Sequence, residues 1–177
     1  MVPEALAGQG SRRSGKIPPY ADSATRRAEG LEAVLWDHSE MQIRALAEKD
    51  HRVYRAKVAG PAGLLVAKLH KLGERQGTPN RLVDKDAHDI YRLLVAVPTD
   101  QLARKLTELQ SDELSRPATE KAINYLGEMF AAGPDATGSV MAGRAEAGIG
   151  EPDTVANSVA FLASDLVTAL SQQSSLD

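Results

Sequence analysis

Residues 31–61 read LEAVLWDHSEMQIRALAEKDHRVYRAKVAGP, and the fold class turns on them. Three apolar-rich pieces stand out: LEAVLW at 31–36, EMQIRALA at 40–47 and RVYRAKVA at 52–59. Asp37-His38-Ser39 punctuates the first two, and Gly60-Pro61 closes the third. That pattern predicts three short antiparallel strands in a meander. Its rival is a single helix through 31–47, because Leu, Ala and Glu all favour helix.

Downstream, the periodicity turns helical. Pro61 suits a first helical position, and the helix it opens runs to about Gln76, where Gly77-Thr78-Pro79-Asn80 stops it. A second helix spans about 85–97 and ends before Pro98, and Thr99 or Asp100 can cap a third through about Gln110. A fourth starts near Pro117 and carries Ala122, Ile123, Leu126 and Met129. The Gly-rich stretch 131–153 is expected to be irregular, with at most a short helical turn. A last helix over about 153–171 places Val155, Val159, Leu162, Leu166 and Leu170 on one stripe. Upstream, GQGSRRSGKIPPYADS (8–23) reads as loop. The expectation is an α+β fold: a small antiparallel sheet within 1–59, then a helical bundle over 60–177.

Composition narrows the chemistry. A chain of 177 residues can bury a sizeable core without disulfides or structural metal. It has no cysteine, which excludes disulfides, thiolate chemistry and cysteine-based zinc sites. His38, His51, His70 and His88 are scattered with no His-x-x-x-His pair, so no metal site is expected. A net charge of −3 argues against a dedicated nucleic-acid binder. Locally, Arg12, Arg13, Lys16, Arg26 and Arg27 outnumber Glu4, Asp22 and Glu29, so the N-terminal segment is either a solvated loop or a phosphate contact. No signal core opens the chain and no run approaches a membrane span, which makes a cytoplasmic protein without a membrane partner the default.

The charged residues that demand explanation lie at 81–94, RLVDKDAHDIYRLL. On a helical wheel Ala87, Ile90, Leu93, Leu94 and Val97 share one arc, with Asp86 inside it and Asp89 at its margin. A carboxylate on an apolar face costs several kcal/mol unless a partner holds it. Asp86 or Asp84 could cap the helix, with Asp89 favoured by the helix dipole. Alternatively, Lys68, Lys71 and Arg75 form a basic stripe beside Leu65, Leu69 and Leu72 on the preceding helix. Short helices joined by a turn pack side by side, so Lys68 can meet Asp86 or Asp89 along one cleft. Such a pair is either a structural ion pair or a lysine held by an aspartate and aimed at a phosphate.

The block VAGPAGLLVAKLHKLGERQGTPNRLVDKDAHDIYRLL (58–94) resembles the later motifs of the AbiEii/AbiGii-type nucleotidyltransferase toxin family. In that family a lysine-bearing helix precedes an Arg-x-Lys-Asp-x-x-Asp-like signature; here the matching residues are Lys68, then Arg81, Lys85, Asp86 and Asp89. Arg81 stands farther from Lys85 than the pattern writes it. The resemblance implies metal-dependent transfer of a nucleotide from a nucleoside triphosphate to an acceptor such as an RNA end. It casts Lys68 as the triphosphate ligand and Asp86 or Asp89 as the group that orients it or assists deprotonation of the acceptor. Lys71, Arg75, Arg81 and Lys85 would neutralise phosphate charge.

The family also opens with Gly-Ser and an Asp-x-Asp pair whose carboxylates hold magnesium. This chain lacks them; Gly138-Ser139 is followed by VMAGRAEAG and lies downstream of the other motifs. The expectation is a truncated or degenerate nucleotidyltransferase-like protein, inactive as this chain, with magnesium bound only by a longer form. The alternative is a non-catalytic interaction module, such as a toxin–antitoxin partner. An incomplete sheet would leave an unpaired edge or an apolar face open to a second copy or a partner protein.

Overall fold

The structure is a computed structural model that describes residues 1–8, 14, 15, 19 and 25–173. Most of the expected loop at 8–23, including Arg12, Arg13 and Lys16, lies outside the described residues. Val2–Pro3 (β1) pairs in parallel with Arg27–Ala28 (β2). The Arg27 guanidinium is spent on this corner, donating to the Ser14 and Gly8 carbonyls and to the Glu4 carboxylate.

Residues 31–36 depart from the meander: Glu32–Trp36 is a single short helix, α1. One helical turn points both Glu32 and Ala33 inward, which an alternating strand cannot do. The buried Glu32 carboxylate accepts the backbone N–H of Ala5 at 3.0 Å and of Gly30 at 2.9 Å, fastening the N-terminal corner to the bundle. The other two pieces do form strands. His38–Arg44 (β3) and Val53–Ala59 (β4) pair antiparallel in register from His38↔Ala59 to Arg44↔Val53. The pairing places Met41 with Ala56 and Ile43 with Tyr54 on one face, and Glu40 with Lys57 and Gln42 with Arg55 on the other. No helix covers the apolar face among the described residues: Met41, Ile43 and Tyr54 are 51%, 49% and 59% exposed.

Five of the remaining elements match their sequence signals closely: Pro61–Gly73 (α2), Asp84–Ala96 (α3), Thr99–Ser111 (α4), Arg116–Leu126 (α5) and, after one more helix, Pro152–Gln173 (α7). Their amphipathic stripes converge on one core containing Leu65, Leu69, Ile90, Leu106, Leu126 and Leu166. The start of α2 is capped from outside, since the Asp37 carboxylate accepts the Gly63 N–H at 2.8 Å and the Asp37 carbonyl accepts the Gly60 N–H at 2.7 Å. α4 begins after Pro98, and neither Thr99 nor Asp100 serves as its cap.

Two features correct the reading of the C-terminal third. Thr137–Arg144 forms a full helix, α6, in the stretch expected to be irregular. It packs against α3, α7 and the π-helical turn Gly127–Ala131 that prolongs α5. Helix α7 has 22 residues and an 18-residue window of mean hydropathy 1.3, so by length and composition it is apolar enough to cross a membrane, contrary to the expectation that no run approaches a span. In this fold its stripe Val155, Val159, Leu166 and Leu170 is buried against α3, α4, α6 and the π turn.

Gly138 shows why α6 forms despite its glycines. A Cβ there would lie 2.6 Å from Phe130 Cζ, so only glycine lets α6 approach the buried ring. Gly138→Ala should lower stability by about 1–3 kcal/mol through overpacking. Gly127→Ala, where a Cβ meets nothing within 4 Å, should raise it by about 0.5–1 kcal/mol. Urea denaturation of both variants checks the pair; equal effects would overturn the packing account.

Candidate functional site

Residues spaced three or four apart share a helix face, which aligns Lys68, Lys71 and Arg75 on α2 and Asp86 and Asp89 on α3. The two helices pack side by side, joined through the single 3-10 turn Pro79–Arg81. Lys68 Nζ donates to Asp89 Oδ2 at 2.6 Å, and Lys71 Nζ donates to Asp86 Oδ1 at 2.6 Å. Arg75 Nη1 reaches Asp86 Oδ2 at 3.3 Å and the Arg81 carbonyl at 3.2 Å. The seam thus gathers five of the seven expected site residues into two neighbouring ion-paired groups, Lys68 with Asp89 and Lys71 and Arg75 with Asp86.

Asp86 is only 4% exposed, a buried acid on an apolar face. Both of its oxygens are matched by cations, which is what burial of a carboxylate requires. Its role is therefore not the cap: Val83 occupies that position, without a side-chain hydrogen bond. Asp84, the other cap candidate, binds Arg144 of α6 with its two oxygens at 2.7 and 3.1 Å. Asp84 and Asp86 still lie in the first turn of α3, where the helix dipole favours negative charge.

The Lys68 hydrogen bond holds the Asp89 carboxyl below the usual carboxylate range. Partial burial opposes that shift, and the nearby charges of Lys68, Lys85 and Arg92 reinforce it. Lys85 is exposed and acts on Asp89 only through its field. Arg81 contributes its carbonyl; among the described residues its guanidinium pairs with no carboxylate. Both remain free to meet a ligand, though neither is held in place for one.

The expected cleft is instead a half-buried seam. Lys68 and Asp89 side chains are 28% and 25% exposed, and four surface pockets elsewhere are lined by other residues. The seam does not fit the magnesium that the family resemblance implies. Magnesium needs carboxylate oxygens that converge on it, and Asp86 and Asp89 face lysine and arginine. Sequence reasoning also missed the neighbouring contact of His88 Nε2 with Glu146 Oε2 at 2.7 Å, which joins α3 to the turn after α6. Those partners stand 58 positions apart, and no local pattern links them.

Comparison with protein-family models, curated proteins and solved structures finds no match.

A depressed carboxyl pKa stabilises the fold above the unfolded value of about 3.9, and that contribution is lost as pH falls through the folded value. The Asp89 carboxyl followed by NMR should therefore titrate below the ordinary range, and Lys68→Met should move it upward. An unchanged midpoint in the variant would refute the pairing. Removing Asp86 leaves Lys71 and Arg75 unmatched beside a buried gap, so Asp86→Ala should cost about 1–3 kcal/mol in denaturant unfolding.

Proposed function

We propose that this chain is a nucleotidyltransferase-like protein of the AbiEii type whose α2–α3 seam binds the polyphosphate of a nucleoside triphosphate. One observation carries the reading: across the α2–α3 seam Lys68 pairs with Asp89 while Lys71 and Arg75 pair with Asp86, and Lys68, Asp86 and Asp89 are positions that resemble the family motif. Lys68 is the phosphate ligand, and Asp89 holds its ammonium in a fixed position until phosphate oxygens compete for it. Asp86 keeps Lys71 and Arg75 anchored beside it, where their charge adds to the local field. Lys85 and Arg81, exposed at the start of α3 and in the turn before it, add positive charge where the triphosphate would lie.

Every aspartate at the seam weakens anion binding by the charge it contributes, so affinity is low. Transfer to an acceptor such as an RNA end needs magnesium at the α-phosphate. Neither Asp86 nor Asp89 is disposed to hold it, so the chain binds nucleotide without transferring it.

A second reading, a non-catalytic interaction module, is favoured by the uncovered apolar ribbon of Met41, Ile43 and Tyr54. The two readings separate in one set of measurements. On the first, calorimetry with ATP detects weak binding that Lys68→Ala abolishes and Asp89→Asn strengthens, because the substitution frees the ammonium. Incubation with magnesium, labelled triphosphates and a tRNA pool leaves the RNA unlabelled. An affinity unchanged by both substitutions would leave the seam a structural ion pair, and robust RNA labelling would overturn the claim that this chain does not transfer.

A further inference from the structure

On the other flank of α2, the buried His70 side chain is only half satisfied. Its Nε2 lies 2.7 Å from the Ala118 carbonyl oxygen, which can only accept, so Nε2 carries the hydrogen. In the neutral ring that leaves the lone pair on Nδ1. This atom is buried with no hydrogen-bond partner, and it faces Glu29 Oε2 at 3.6 Å. A lone pair set against a carboxylate oxygen is unfavourable unless a positive charge sits between them.

We propose that Glu29, His70 and Glu74 form a binding site for a divalent transition-metal ion of the zinc type. Glu74 follows His70 by four positions, at the C-terminal end of α2, and the candidate ligand atoms of all three residues lie within 4.8 Å of one another. One imidazole with two carboxylates is a donor set that suits zinc and its neighbours better than magnesium. The Nε2–H donated to a backbone carbonyl is the outer contact that metal-ligating histidines usually make, because it fixes tautomer and ring orientation.

The surroundings hold the ring in place. Tyr125 packs edge-on against it at 5.7 Å, and Gly30, at φ +88°, brings the Glu29 turn so close that a Cβ would lie 2.6 Å from His70 Cδ2. Lys121 Nζ binds both oxygens of Glu29 at 2.8 and 2.9 Å. A carboxylate has about four lone-pair sites, so Glu29 can serve Lys121 and still present Oε2 to the ion. With two carboxylates against one ammonium, the site is net negative before the ion arrives. The ion would tie the N-terminal corner to the end of α2.

The site is independent of the nucleotide reading, and its test does not involve nucleotide. The purified chain is titrated with zinc chloride in excess magnesium while the histidine ring nitrogens are followed by NMR. The expected result is saturation at one site, with His70 Nδ1 shifting and its Nε2–H retained. Glu74 is exposed, so Glu74→Gln should fold normally and bind zinc at least about tenfold more weakly. Zinc that perturbs only His38, His51 or His88 would overturn the proposal. So would an affinity unchanged in both Glu74→Gln and Glu29→Gln, or a His70 Nδ1 that already carries a proton at neutral pH and ignores zinc.

Discussion

Helix α2 is enclosed on most of its circumference, and the rest of the molecule is arranged around what that enclosure demands. It touches α1, α3, α4 and α5, burying Leu65, Val66, Leu69 and Leu72 together with His70. An enclosed helix must have its polar groups answered locally. Asp37 answers the free N–H groups at its start, the aspartates of α3 answer its lysines, and the Ala118 carbonyl answers one nitrogen of its histidine. Each of these partners comes from a different segment, so satisfying α2 largely fixes how the segments meet.

What could be read in advance follows from how far each signal reaches along the chain. The helices α2, α3, α4, α5 and α7 carry their own stripes and stops, so local pattern sufficed. That Lys68 meets an aspartate of α3 was also legible, because both stripes are periodic and one short turn makes their helices neighbours, but the choice of Asp89 over Asp86 was left open. The failures have the opposite character. LEAVLW is too short for its period to discriminate, and its helical turn is selected by Glu32 reaching Ala5 and Gly30. In α6, glycines at 138 and 143 lower helix propensity, yet they admit Phe130 and the backbone of Pro152 at close range. Tertiary contact outweighs propensity in both.

His70 escaped for a related reason. A search for two histidines on one helix face passes over a histidine followed four residues later by glutamate. The third group, Glu29, belongs to a segment 41 positions upstream that only the folded chain brings near. The glutamate four residues on sets His70 apart from the three other histidines, but that spacing alone does not show a ring nitrogen without a partner. Its burial does, and burial is a property of the packed bundle.

The two flanks of α2 pose different problems to an incoming ligand. At the seam, each strong cation is already matched to a carboxylate, and the match is what makes the burial of Asp86 tolerable. An anion there must exchange with an existing partner, and if it displaced Asp86 it would leave that acid buried and unmatched. Lys68, whose partner Asp89 is partly exposed and can turn to water, is the cation most cheaply released. A triphosphate should therefore engage the seam through Lys68 first and leave the Asp86 cluster intact. At His70 the order is reversed: a buried ring nitrogen already lacks a hydrogen-bond partner, so on the neutral-ring assignment a cation completes the local chemistry without displacing a hydrogen bond from that atom. The physical demand for a ligand is thus stronger at the histidine than at the charge network that dominates the sequence.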